Sequence, residues 1–131
     1  IQIPANMKYL NVVGAAIMAL LEHDGSQDHA YNMQLAIHEV CTNIIEHAYG
    51  HDSKKHLSLR LKLSETVFVA CLDDRGESFD PKADKSPNFD EPQVRGMGLF
   101  LVNELMDKVD YRCDADGNHW TLTKYLKEQT T

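Results

Sequence analysis

The chain reads as α+β: a two-layer sandwich in which one mixed, mainly antiparallel sheet carries helices packed on one face. Two observations predict this class. Apolar residues recur at helical spacing through the first third, and from about residue 57 the period drops to two. The alternating segments also come in pairs joined by short turns, the pattern of antiparallel hairpins. The 131 residues suit one domain, 1–131, with one core.

Residues 1–3 read as a strand remnant closed by Pro4. Over 7–21, Leu10, Val13, Ala16, Ile17, Leu20 and Leu21 mark the apolar face of a first helix. HDGSQD interrupts it, with Asp24-Gly25 as the turn. A second helix is expected over about 28–48, with Met33, Ile37, Val40, Cys41, Ile44 and Ala48 facing the core and Gly50 as its stop. Leu57, Leu59, Leu61 and Leu63 then alternate with polar residues, and the more apolar TVFVACL over 66–72 returns as the hairpin partner. Residues 73–95 are polar and aperiodic, too long for an ordinary connector and therefore suspect as a functional loop. A helix over about 98–106, a strand over 108–113, an ADGN turn over 115–118 and a last strand over 119–126 complete the chain.

Composition narrows the function classes. Hydrophobic residues make up 43% and charged residues 25%, as in ordinary globular proteins, and no apolar run is long enough to span a membrane. A formal charge of -7 argues against a direct nucleic-acid binder. Cys41, Cys71 and Cys113 lack CxxC spacing and read as small buried hydrophobes in a reducing cytoplasm.

Three features carry chemistry. Within AIHEVCTNIIEHAYG, Glu39, Asn43 and His47 stand four apart, a file beside the apolar face that drifts slowly toward it. The ordinary reading leaves Glu39 solvated, Asn43 bonded locally and His47 half-buried against backbone. The functional reading makes the file one wall of a cleft. In LDDRGESFDP, Asp74 is a turn residue or the acceptor for a ligand amine, with Gly76 allowing close approach. In RGMGLFLVNELM, two glycines beside Arg95 either loosen a helix start or present backbone N–H groups to an anion. No GxGxxG after a first strand and no GxxxxGK[ST] loop is present.

Together, and in this order, the three resemble the GHKL-type ATP-binding (Bergerat) fold shared by gyrase, Hsp90, histidine kinases and MutL. EVCTNIIEHAYG, DDRGESFDP and GMGLFLVNELMDKVDY resemble most the anti-sigma-factor serine kinases of the RsbW and SpoIIAB type. The resemblance runs from IQIPANMKYL to the final hairpin. The absence of phosphoacceptor-histidine helices ahead of it disfavours a complete sensor histidine kinase. It implies that Asn43 coordinates Mg²⁺ on the ATP phosphates and that Glu39 is the general base for the attacking serine hydroxyl. Asp74 would read adenine with Gly76 beside it, Thr121 would assist there, and His47 would shape the pocket edge. Arg95, Gly96, Met97, Gly98 and Leu99 would border the phosphates. The segment at about 80–95 would be the ATP lid, with Lys82 and Lys85 near phosphate or partner. DRGESF departs from relatives that carry a second glycine near Glu77-Ser78.

The function implied is a cytoplasmic, homodimeric anti-sigma factor that binds ATP or ADP. It would phosphorylate a serine of a STAS-domain anti-anti-sigma protein and sequester a sigma factor. The alternative is a nucleotide-gated binding module without phosphotransfer; retention of Glu39 favours the enzyme. A kinase of the same build in a stressosome-like switch is a third.

Overall fold

The computed structural model describes residues 1–22, 27–78 and 94–126, with 27–28 and 94–98 described as backbone only. The expected turn at Asp24-Gly25 and the lid with Lys82 and Lys85 lie outside the described residues, apart from the backbone of 94 and 95. Five strands form one sheet in the order β1-β2-β3-β5-β4: β1 (Gln2–Pro4), β2 (His56–Leu63), β3 (Val67–Asp74), β4 (Lys108–Asp114) and β5 (Gly117–Tyr125). Helices α1 (Leu10–Glu22), α2 (Gln27–Asn43) and α3 (Val94–Leu105) pack on one face. The two-layer α+β architecture is as expected, with one refinement: every described strand pairing is antiparallel, not mixed.

Alternation decides which residues meet the helices. Along β3, Phe68, Ala70, Leu72 and Asp74 are buried, and along β5 so are Asn118, Trp120 and Leu122. These apolar side chains close on Ile17 and Leu21 of α1, Met33, Ile37 and Val40 of α2, and Val102 of α3 to form one core. Leu57 and Leu59 of β2 join it, whereas Leu61 and Leu63 are only half-buried toward the sheet edge. Leu20, expected on the apolar face of α1, is exposed. Of the cysteines only Cys41 is buried as expected; Cys71 is half-buried and Cys113 exposed.

The second helix does not run on as one α-helix. After Asn43 it widens into a π-turn, Ile44–Ala48, closed by the Tyr49 N–H donating to the Ile44 carbonyl five residues back (2.9 Å). The wider turn changes the direction in which its residues face, so Ile45 is fully buried and Ala48, expected in the core, packs only at its margin. Gly50 stops the helix as expected, with φ +57°, and His51 follows in the same left-handed region at φ +64°. The His51 N–H donates to the Ile45 carbonyl at 2.8 Å, satisfying a carbonyl of the last turn.

Candidate functional site

The end of the π-turn meets the turn after β3. The Tyr49 hydroxyl donates to the His56 carbonyl (2.6 Å) and accepts from the Arg75 N–H (2.8 Å), pinning the helix end to both β2 and β3. The Glu77 N–H donates to the Ala48 carbonyl at 2.8 Å. Gly76 passes so close that a Cβ would collide with the Ala48 backbone. Glycine is thus required here by contact between turn and helix, a reason independent of any ligand.

Asp74 is 3% exposed at the end of β3, and Asn118 stands directly across from it on β5. Asp74 Oδ1 accepts from the Asn118 side-chain amide and from the Gly76 N–H, both at 2.8 Å, while Oδ2 receives no hydrogen bond from a described residue. Burial pushes the Asp74 carboxyl above its ordinary value; the bonds from Asn118 and Gly76 and the His119 charge pull the other way. Asn118 also donates to the carbonyls of Gly76 (3.1 Å) and Glu77 (3.2 Å), and its oxygen accepts from Ser78 (3.0 Å) and Tyr111 (3.1 Å). Sequence reasoning misses this organising side chain, because it places Asn118 in the ADGN turn. The turn is one step earlier, at Ala115 and Asp116 between β4 and β5. Counting back by two from buried Trp120 and Leu122 is the signal that finds it.

That count also corrects Thr121. It stands opposite Cys71, on the sheet face away from the helices, and does not join Asp74. Glu39, Asn43 and His47 are all half-buried on the helix that ends against the Asp74 turn. Neither Glu39 nor Asn43 makes a side-chain hydrogen bond or ion pair to another described residue; His47 lies 3.7 Å from Glu46. The expected drift of the file toward the core stops at Asn43, because the π-turn is wider than an α-turn.

Helix α3 packs against α2 and begins at Val94, four residues before the expected start. Arg95, Gly96, Met97 and Gly98 therefore lie inside its first turns, with their side chains outside the described set. Leu99 packs its side chain against the core, which leaves it no side-chain part in phosphate contact. The first N–H groups of α3 have no partner within the helix and form a positive end suited to phosphate.

Buried carboxylate, half-buried amide and helix start on one side of a sheet are the arrangement of a nucleotide-binding ATPase or kinase domain. The chain belongs to the histidine kinase-like ATPase domain family, whose profile matches residues 3–124, and within it to the RsbW-like serine-kinase group. It is similar to the serine-protein kinase RsbW of Bacillus velezensis, 30% identical, covering 95% of this chain and 83% of that protein. The RsbW of Halalkalibacterium halodurans is 31% identical, over 95% of this chain and 81% of that protein. Among solved structures, the RsbU and RsbW domains of a Mycobacterium tuberculosis protein match with TM-score 0.67 and 23% identity, over 96% of this chain and 31% of that one. The histidine kinase domain of an Erythrobacter litoralis blue-light activated kinase matches with TM-score 0.60 and 18% identity, over 94% and 61%. These two structures bear on the fold alone, and the chain spans less than two thirds of either. Among the described residues no helix is long and apolar enough to cross a membrane.

Proposed function

We propose that this chain is an ATP-dependent serine-protein kinase and anti-sigma factor whose nucleotide pocket lies between α2, the Asp74 turn and the start of α3. The carrying observation is Asp74: a buried carboxylate with one oxygen fixed by two donors and the other, bonded by no described residue, placed to take a ligand amine. Adenine offers such an amine. The half-buried amide of Asn43, which bonds no other described side chain, fits a role as an oxygen ligand that would hold Mg²⁺ on the phosphates. When bound, Mg²⁺ neutralises charge on the triphosphate.

The residues of the chain divide the remaining work. Asp74 orients the base, and the N–H groups at the start of α3, with Arg95, hold the phosphates. Glu39, one turn before Asn43, takes the proton of the serine hydroxyl as the serine oxygen bonds the γ-phosphorus and the bond from that phosphorus to the β–γ bridging oxygen breaks, releasing ADP. His47 shapes the pocket edge. The acceptor serine comes from a STAS-domain anti-anti-sigma protein, and in the other state the chain sequesters a sigma factor. Homodimerisation and a cytoplasmic setting complete the reading.

Calorimetric titration of ATP with and without Mg²⁺, followed by phosphotransfer to a STAS-domain protein, tests it. Asp74→Asn is expected to weaken binding at least about tenfold, the cost of losing a charge-assisted bond. Asn43→Ala should remove the magnesium dependence. Glu39→Ala should keep nucleotide affinity and lower transfer about 100- to 10,000-fold. Undiminished transfer by Glu39→Ala would refute the assigned base. Binding without any transfer by the wild type would replace the kinase by a nucleotide-gated module.

A further inference from the structure

Directly behind the Asp74–Asn118 pair, on the sheet face away from the helices, Asp73 and His119 stand opposite each other. The His119 ring touches two carboxylates: Nδ1 lies 2.5 Å from Asp73 Oδ1 and Nε2 lies 3.0 Å from Asp114 Oδ1. Asp73 belongs to β3 and Asp114 ends β4, so the ring ties β3 to the β4–β5 hairpin. Arg60 of β2 lies 3.6 Å from Asp73, and Arg112 of β4, opposite His119, bonds Asp114. Asp110 stands further along β4 opposite Thr121, and Asp74 lies on the other face of β3.

An ionised carboxylate only accepts, and a neutral imidazole has one N–H to give. Both contacts are therefore satisfied together only by the imidazolium, and no ring nitrogen remains to act as a base. The group is a clamp. The Asp73 and Asp114 carboxylates raise the His119 pKa above its ordinary value. In return the ring, with the Asp116 N–H and Arg112, holds Asp114 down at about 2. The clamp reaches the pocket through Gly117, which starts β5 opposite Asp114 and sits so close to the Asp74 carbonyl that no Cβ would fit. Movement of the hairpin end is felt at Asp74 and Asn118.

We propose that His119 is a positioning residue for the nucleotide pocket, its protonated ring locking the strand ends that carry Asp74 and Asn118, so that nucleotide binds most tightly when the ring is charged. This rests on the reading of Asp74 as the nucleobase acceptor. Loss of the proton leaves a ring lone pair facing a carboxylate, that contact parts, and the hairpin end is released. Because the folded pKa is raised, the clamp is complete below the unfolded value near 6.5 and is lost as pH rises through the folded value. Nucleotide affinity follows the same direction, and by linkage bound nucleotide raises the ring's pKa further.

The test measures ATP–Mg²⁺ dissociation constants by calorimetry from about pH 6 to 9, with the His119 ring titration followed by NMR with and without nucleotide. Asp114→Asn is the informative variant: its amide can donate to Nε2, so a neutral ring satisfies both neighbours. The wild type should lose affinity relative to Asp114→Asn as pH rises, by up to about tenfold if linkage amounts to one pKa unit. Using the ratio cancels the titration of the nucleotide's own phosphates. Asp73→Asn makes the same exchange at Nδ1 and serves if the first variant does not fold. A ratio constant with pH, or a ring pKa unmoved by nucleotide, would overturn the clamp and leave the pocket standing. No ATP binding by the wild type at any pH would overturn both.

Discussion

Asn118 makes five polar contacts with one buried side chain, and each is to a group on the turn after β3, its strand end or Tyr111. An amide is suited to this: its N–H₂ serves Asp74 and two carbonyls while its oxygen takes two hydroxyl donors. The Tyr111 ring that supplies one of them is itself set by Trp120, the centroids 4.7 Å apart. Truncation to alanine would strand several of these groups in a site that water barely reaches. Asn118→Ala is expected to cost about 2–3 kcal/mol in urea unfolding and to weaken ATP binding, because Asp74 loses a side-chain donor. Thr121→Ala, on the other face of the sheet, should leave ATP affinity unchanged. Equal effects from the two variants would contradict the assignment of faces.

The π-turn is the element that brings the second helix and the sheet into register. Without it Ala48 would turn into the core and Tyr49 would not reach both His56 and Arg75. Ile45, with 1% of its surface exposed, holds the shifted register from below. Ile45→Ala should therefore cost about 2–5 kcal/mol, as for a full core position, measured by chemical denaturation. On a continuous α-helix the same change would be mild. The helices and strands themselves were legible, because their periods are 3.6 and 2 and each period is visible in apolar residues alone. Glu39, Asn43, Asp74 and Gly76 enter the candidate site through resemblance of their blocks. The π-turn was not, since one widened hydrogen bond leaves no mark in composition. Asn118 was lost to its own turn propensity beside Gly117, and Thr121 was misplaced by one step of strand parity. Helix α3 starts early because glycines in a first turn are tolerated there, although they weaken a helix interior.

At the scale of the whole molecule, helices cover one face of a single sheet, and Cys41 lies in the middle of that one core, fully buried on α2. Burial pushes its thiol from 9.0 up to about 12. A thiolate cannot form there without water, so the folded state keeps the proton while the unfolded chain gives it up. For an acid raised on folding, no stability is lost below the unfolded value. Loss begins as pH passes about 9 and continues until the folded value near 12 is reached, because only the unfolded chain ionises in that window. The full effect is about 4 kcal/mol, a large part of the stability of a typical small domain. Cys41→Ala should be less stable than wild type at pH 7 from lost packing, by about 1 kcal/mol, yet show a shallower decline under alkali. Urea midpoints for the two proteins, measured from about pH 7 to 11, should therefore converge as pH rises, cross between about pH 9 and 10, and leave Cys41→Ala the more stable protein above that. Parallel decline would mean that alkaline unfolding is governed elsewhere, and that the core around α2 admits water before the thiol ionises.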